Sequence, residues 1–239
     1  MLDKKINKAQ ERPLYESQIK PYAFHPVYFI ANAYLGLYHK IHYEDKGILQ
    51  DFKDQGFFLI SKHQKRKDIP LESFILYKKA GRKGNYIMKD SIHPLSKPIL
   101  KRCGGIPIVR WKDLKKKYAH LSKEEQVRYA KQVRGEVSQI MLDLILQDEV
   151  VVFHPEAERK SEQEFFLNLP VLKRLFILQK DYHELTGKPV PFIPLNIIYD
   201  DRKKFRSEVF LRVGEPIQTM DYNLKDFSNE IKKRMDALT

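Results

Sequence analysis

The residues with the clearest chemical meaning are His63 and Asp68, which follow the apolar run Phe57-Phe58-Leu59-Ile60. A neutral imidazole can take a proton from a hydroxyl near pH 7. A carboxylate bonded to its other nitrogen fixes the tautomer and stabilises the imidazolium that forms. The pair therefore matches the base and the orienting acid of a catalytic triad, with no nucleophilic side chain to complete it. This pattern predicts that the nucleophile is a hydroxyl of the substrate.

Charged residues follow two further apolar runs. Arg110 comes directly after the run at 106–109. Glu156 and Arg159 come shortly after the run at 150–153. In a sheet of parallel neighbouring strands such ends meet at one edge, and guanidinium groups bind phosphate oxygens in pairs. We therefore expect one site that suits a phosphorylated acceptor bearing a free hydroxyl.

Short apolar runs alternate with helical patterns along the chain, which predicts a single-domain layered α/β fold with a mainly parallel central sheet flanked by helices. The main domain is expected over residues 43–239, after an N-terminal helical segment over 1–42. The predicted strands span 56–61, 86–89, 106–110, 150–153, 192–198 and 209–213, and the predicted helices 70–80, 95–103, 122–147, 171–186 and 226–238.

The N-terminal segment contains an amphipathic pattern over Pro21 to Ile41, where apolar residues recur at helical offsets and many are aromatic. Two readings are open. The helix packs on the protein's own core, or it lies in the plane of a membrane interface, where aromatic side chains are favoured. No uninterrupted apolar run of about 18 residues occurs, so a spanning helix is not expected.

The chain has 239 residues and a formal net charge of +13, from 44 Lys and Arg against 31 Asp and Glu. This excess favours an anionic partner: nucleic acid, an anionic membrane or a phosphorylated metabolite. The single cysteine, Cys103, excludes an intramolecular disulfide, and no Cys/His cluster has zinc spacing. A cytoplasmic location follows as the default.

Taken together, these residues resemble the glycerolipid acyltransferase family, in particular its 1-acylglycerol-3-phosphate type. The family carries four ordered blocks. His63 and Asp68 match the His-x4-Asp block, and residues 104–110, 155–161 and 190–195 are similar to the other three. The resemblance covers roughly residues 44 to 217, in the family's order.

The resemblance implies transfer of a fatty acyl group from acyl-CoA or acyl carrier protein to the hydroxyl of a lysophospholipid, 1-acylglycerol-3-phosphate above all, in phospholipid biosynthesis. His63 would be the general base and Asp68 its orienting acid. Lys89 and a backbone N–H after residues 150–153 would stabilise the oxyanion. No metal or prosthetic group is expected, because the thioester is a cosubstrate.

The resemblance also implies which residues bind substrate. Arg110 and Arg159 would hold the acceptor phosphate, and Glu156 a glycerol hydroxyl or an arginine. Gly105 and Lys160 belong to the same blocks and are expected to line the site. Basic runs near these strand ends predict attachment to an anionic membrane surface, so we expect a peripheral protein on the cytoplasmic face of a membrane.

Two alternatives remain from the sequence. Val109 and Glu158 depart from the family pattern beside the expected phosphate site, which is compatible with a different acceptor such as a lyso-aminolipid. The net charge of +13 is compatible with a non-enzymatic nucleic-acid-binding protein. The chain has no recognisable nucleic-acid motif, and its aromatic residues lie within apolar segments instead of beside the basic runs, so nucleic acid is not the expected partner.

Overall fold

The computed structural model describes residues 15–62, 65, 67–89, 93–108, 119–156, 167–200, 205–218 and 222–239. The helices are α1 (Pro21–Tyr38), α2 (Ile48–Asp51), α3 (Asp68–Ala80), α4 (Lys97–Arg102), α5 (Lys123–Leu146), α6 (Leu169–Thr186) and α7 (Leu224–Asp236). The strands are β1 (His39–Glu44), β2 (Phe57–Ser61), β3 (Gly84–Lys89), β4 (Gly105–Ile108), β5 (Val150–Phe153), β6 (Phe192–Tyr199) and β7 (Ser207–Val213).

The seven strands form one sheet in the order β1-β7-β6-β2-β5-β3-β4. Every neighbouring pair is parallel except β6 and β7, which are antiparallel. Helices cover both faces of the sheet, with α1, α2 and α3 on one side and α5, α6 and α7 on the other. The predicted α/β fold with a mainly parallel central sheet is confirmed.

The central strand β2 explains why the sequence forms this layered structure. Phe57 and Leu59 pack into the core under α3, whereas Phe58 and Ile60 pack into the core under α5 and α6. Successive strand residues point to opposite faces, so a strand covered on both sides must be apolar at every position. The sequence pattern of β2 and β5 is continuous for that reason.

The antiparallel step between β6 and β7 brings both kinds of strand terminus to one edge of the sheet. The strands β2, β5 and β6 end there at Ser61, Phe153 and Tyr199. Because β1 and β7 run in the opposite direction, they begin there, at His39 and Ser207. We call this the strand-end edge.

The N-terminal helix is shorter than the sequence pattern predicts. It ends at Tyr38, and residues 39–44 form β1 instead of continuing the helix to Ile41. The reason is tertiary pairing: His39 to Glu44 pair in register with β7, and Ile41 and Tyr43 pack against the core. The predicted helix end at Ile41 was therefore wrong by three residues.

Helix α1 is apolar on two sides. Phe24 and Leu35 are buried, and Tyr28 and Ala31 pack beside them, so the inner face lies on the protein's own core. The outer face exposes large apolar side chains, namely Tyr22, Phe29, Ile30, Tyr34, Leu37 and Tyr38. Within the described residues, no helix combines the length and apolar character that crossing a bilayer requires.

Helix boundaries follow local signals that the sequence contains. A capping box forms at the start of α5, because Ser122 Oγ accepts from the N–H of Glu125 and the Glu125 carboxylate accepts from the N–H of Ser122. Gly187, with a φ of 71°, follows the end of α6 at Thr186, which is the predicted helix end. Helix α3 begins at Asp68, two residues before the predicted start at Pro70.

Candidate active site

The predicted site residues fall into two groups. Asp68, Gly105 and Glu156 are described, as is the backbone of Lys89. The others, together with the two departures at Val109 and Glu158, lie outside the described residues: His63, Arg110, Arg159 and Lys160. The described contacts centre on Asp68.

Asp68 is the first residue of α3 and has no exposed surface. Its Oδ1 accepts a hydrogen bond from the Tyr199 hydroxyl at 2.5 Å. Its Oδ2 accepts from the backbone N–H of Lys65, also at 2.5 Å. The N-cap residue of α3 is Lys67, whose side chain makes no capping bond. A buried carboxylate with a bond to each oxygen has one fixed orientation.

A second buried acid lies one helical turn after Asp68. Glu72 also has no exposed surface, and its Oε1 is 2.9 Å from Nε2 of His154, the residue that follows β5. Its other oxygen has no hydrogen-bond partner within the described residues. The pair joins the start of α3 to the end of β5.

The His154 imidazole is surrounded by negative charge. Burial alone lowers its pKa, but the charge and hydrogen bond of Glu72 raise it, and so do the charges of Asp68 and Glu156. The net effect is a pKa above the ordinary value, so the site stabilises the imidazolium. Glu156 itself is buried at the turn after β5.

A group of basic residues lies beside Asp68, on the side of β6. Lys65 Nζ and Lys67 Nζ lie 4.6 and 4.5 Å from the centre of the Tyr199 ring. Lys67 Nζ is 2.6 Å from Nε2 of His39, whose Nδ1 is 2.9 Å from the Ser207 hydroxyl. We call Lys65, Lys67, His39 and Tyr199 the basic cluster.

Lys89 and Gly105 lie on β3 and β4, the two strands at the opposite side of the sheet from β1. Lys89 ends β3 and pairs in register with Ile108, the last residue of β4. Gly105 lies at the start of β4, away from the strand-end edge. A Cβ there would lie 2.6 Å from Met88 Sδ and 2.8 Å from the Leu100 carbonyl oxygen, so packing alone requires glycine.

Sequence reasoning did not find Glu72, Tyr199 or His39. Glu72 could have been found, because Asp68 and Glu72 are four apart in a helix whose neighbouring positions are apolar, so both carboxylates share one helix face. Tyr199 ends an apolar strand and reads as core. His39 reads as part of the preceding helix. No local signal separates either of them from its background.

These contacts combine two chemical capacities at one edge. An oriented carboxylate can hold and stabilise an imidazole that has taken up a proton. Two ammonium groups beside it can hold an anion. The strand-end edge is therefore equipped for proton transfer on a substrate that carries negative charge.

Comparisons with known proteins concern the family and the fold. A family model described as acyltransferase matches residues 40–198. The fold is similar to the crystal structure of the 1-acyl-sn-glycerophosphate acyltransferase PlsC from Thermotoga maritima, with a TM-score of 0.58 and 17% sequence identity. That match covers 90% of this chain and 79% of that chain, and at this identity it concerns the fold alone. No curated protein sequence matches this chain.

Proposed function

This chain belongs to the acyltransferase family and is an acyltransferase enzyme, and we propose that it transfers a fatty acyl group from a thioester to the hydroxyl of a lysophospholipid. The proposed acceptor is 1-acylglycerol-3-phosphate, and the proposed donor is acyl-CoA or acyl carrier protein. Family membership favours an enzyme over the nucleic-acid-binding alternative.

The observation that carries the proposal is the setting of Asp68. This carboxylate is fully buried at the strand-end edge and accepts one hydrogen bond on each oxygen. Burial of a charged group is costly unless its bonds are satisfied. A carboxylate that is buried and oriented, five residues after His63, supports a role in orienting that histidine.

The proposed reaction begins when His63 takes the proton of the lysolipid hydroxyl. The hydroxyl oxygen attacks the thioester carbonyl and forms a tetrahedral oxyanion, which Lys89 and a backbone N–H after β5 stabilise. The carbon–sulfur bond then breaks, and the thiolate takes the proton back from His63. The products are a phospholipid ester and a free thiol.

The proposed acceptor contacts come from the strands on the β5 side. Arg110 and Arg159 bind the acceptor phosphate, and Glu156 binds a glycerol hydroxyl or holds an arginine. Lys160 completes the lining in this proposal, whereas Gly105 contributes only indirectly, by allowing the close packing at the start of β4. The chemistry that supports it is the bidentate fit of guanidinium groups to phosphate oxygens.

We also propose that the enzyme works as a peripheral protein on the cytoplasmic face of a membrane, held there by α1 and by surface lysines. The outer face of α1 is apolar; Ile30, for example, is 71% exposed and Phe29 is 61% exposed. A helix that is apolar all round is stable when both of its sides are shielded from water, and here the protein shields only one side. A lysolipid acceptor resides in the surface that would cover the other.

The test is a panel of acceptors and donors. We expect wild-type enzyme to acylate a lysophosphatidate with acyl-CoA, with acyl carrier protein or with both. His63→Ala should abolish turnover without lowering the unfolding midpoint, while His42→Ala, at a histidine with 44% side-chain exposure on β1, should leave turnover unchanged.

The panel distinguishes between the possible acceptor lipids. Lysophospholipids with and without a free phosphate monoester distinguish lysophosphatidate from a lyso-aminolipid. Retention of wild-type turnover by His63→Ala contradicts the proposed mechanism. Failure of every lysolipid as an acceptor contradicts the proposed substrate class.

A further inference from the structure

The two lysines of the basic cluster have no assigned role in the reaction above. Lys65 and Lys67 lie between His63 and Asp68 in the chain, and both ammonium groups lie against the Tyr199 ring. The Tyr199 hydroxyl bonds Asp68, as does the backbone N–H of Lys65. The lysines are therefore fixed to the same scaffold that orients the catalytic carboxylate.

The contact between Lys67 and His39 leaves the cluster positively charged. Lysine nitrogen is a donor when protonated, so Nε2 of His39 accepts, and the ring proton on Nδ1 is donated to the Ser207 hydroxyl. His39 is then neutral. It positions Lys67 but does not neutralise it.

The electrostatics of the cluster favour an added anion. Burial and, to a smaller extent, the charge of Lys65 lower the pKa of Lys67 to about 8, against the opposing effect of Asp68. Burial and the two lysines also lower the pKa of His39. Within the described part of the chain, no carboxylate forms an ion pair with Lys67 Nζ, and Asp68 already accepts bonds on both oxygens.

The position of the cluster in the sheet limits which anion can occupy it. Tyr199 lies on β6, which is adjacent to β2, the strand that leads to His63. In a glycerol phosphate, only two carbons and an oxygen separate the reacting hydroxyl from phosphorus. In acyl-CoA, the whole pantetheine arm separates the thioester from the nearest phosphate.

We propose that Lys65 and Lys67, seated on Tyr199 and His39, bind the phosphate monoester of the lipid acceptor from the β6 side. The inference rests on the proposed function, since it names the group by which that acceptor is held. A phosphate monoester carries close to two negative charges, which match two ammonium groups better than the single charge of a diester does.

The cluster also lies beside a surface suited to a lipid. His39 directly follows Tyr38, whose ring is 4.7 Å from that of Tyr34 and 5.5 Å from that of Phe205. All three aromatic side chains are exposed. A lipid headgroup held by the lysines would have an apolar border on the α1 side.

The test compares acceptors that differ only in the phosphate. The variant Lys65→Gln/Lys67→Gln should raise the KM for lysophosphatidate roughly tenfold to a hundredfold, because it removes charge-assisted hydrogen bonds. The KM for the matching monoacylglycerol and the KM for acyl-CoA should not change. Lys40→Gln is the matched control, since Lys40 adjoins His39 on β1 but its side chain is 65% exposed.

Three outcomes would overturn the proposal. Equal effects on both acceptors would mean that the variant only disturbs the loop before Asp68. A rise in the KM for acyl-CoA alone would mean that the phosphate belongs to the donor. A difference confined to binding of phosphatidylcholine vesicles that contain phosphatidate would assign the cluster to a bilayer lipid instead of the acceptor.

A binding measurement separates this proposal from the proposed function. Calorimetric titration with a soluble short-chain lysophosphatidate requires no turnover. Tighter binding by wild type than by the double variant supports the phosphate site even if no acyl transfer is detected. Equal binding by the two proteins overturns the phosphate site even if wild type is an active acyltransferase.

Discussion

The residues at the strand-end edge form a network of buried charge. Asp68, Glu72 and Glu156 all act on His154, and Asp68 is held in turn by Tyr199. Removal of one partner from such a network leaves another buried polar group unsatisfied. Single substitutions here should therefore alter both activity and stability, in ways that matched controls can separate.

Tyr199→Phe should lower kcat roughly tenfold, because Asp68 Oδ1 loses its donor and the carboxylate loses its fixed orientation. The free energy of unfolding should fall by about 1–3 kcal/mol, the usual effect of leaving a buried acceptor unpaired. Steady-state kinetics and chemical denaturation measure the two effects, and kcat/KM against pH reports the ionisation of the base.

Tyr86→Phe is the control for this change. Tyr86 is also buried, but its hydroxyl bonds Ser73 and makes no hydrogen bond to Asp68. We expect a comparable loss of stability with kcat and its pH profile unchanged. An unaltered kcat and pH profile in Tyr199→Phe would show that Asp68 keeps its function without this bond.

The ion pair of His154 predicts a pH dependence of stability. The pKa of His154 is raised in the folded protein above its ordinary value of 6.5. Its stabilising contribution is therefore fully present below about pH 6.5 and is lost as the pH rises through the folded pKa. The stability difference between wild type and His154→Gln should be largest near pH 6 and should shrink toward pH 9.

Denaturant titrations across that range would measure this difference. His42→Gln, at an exposed histidine, should change stability little at any pH in the range. A stability difference for His154→Gln that stays constant with pH would mean that the His154 side chain contributes by packing alone.

At the scale of elements, β2 is the strand that leads to His63 and Asp68, and its position in the sheet places Asp68 at the strand-end edge. Gly56 directly precedes β2 and passes close to the last turn of α5. A Cβ at Gly56 would collide with the backbone carbonyl oxygen of Ile145. Since neither side of that contact is a flexible side chain, the strand and the helix would have to separate.

Gly56→Ala should therefore destabilise the protein by more than about 2 kcal/mol, a value typical of overpacked sites. Gly36→Ala is the opposite case, because Gly36 lies within α1 with nothing within 4 Å of an added Cβ. Alanine there should stabilise by up to about 1 kcal/mol through helix propensity. Thermal or denaturant unfolding measures both, and equal effects of the two changes would contradict the argument.

The elements show what the sequence could and could not predict. The strands β2 and β5 were predicted because burial on both faces leaves a continuous apolar run. Strand β1, His-Lys-Ile-His-Tyr-Glu, was missed, because it lies at the end of the sheet and is mostly polar on its open face. Its pairing partners on β7 are about 170 positions away in the sequence, so a local sequence pattern cannot reveal the pairing.

The candidate site shows the same limit. The sequence points to Asp68 because its spacing from His63 is local, and the role of Asp68 stays a prediction. Its partner Tyr199 is 131 positions away. In the sequence, Tyr199 looks like one more aromatic residue of a core strand. Contacts of this kind appear only when the fold brings distant strand ends together.

At the scale of the molecule, the C-terminal end of α1 adjoins the strand-end edge, because α1 leads directly into β1 at His39. In the proposed attachment to a membrane, apolar side chains of α1 enter the interface while lysines meet anionic headgroups. This proposal orients the strand-end edge toward the lipid.

Phe29→Asp/Ile30→Asp should weaken binding to vesicles of phosphatidylcholine and phosphatidate by roughly a hundredfold, since it removes two large apolar side chains from the interface and adds two negative charges. Turnover of a soluble short-chain acceptor should be unchanged. Val127→Asp is the control, because Val127 is 57% exposed on α5, across the sheet from α1. Vesicle sedimentation measures the binding, and an equal loss in the control would contradict a role for α1.

The antiparallel step between β6 and β7 has a kinetic consequence. It is the reason that β1 starts, instead of ends, beside Asp68, so a single peptide bond joins α1 to the basic cluster. An enzyme anchored through α1, as we propose, meets its acceptor by lateral diffusion in two dimensions. Its rate at saturating protein binding should follow the mole fraction of acceptor in the bilayer, and dilution of the acceptor with inert lipid should slow turnover even at constant bulk concentration.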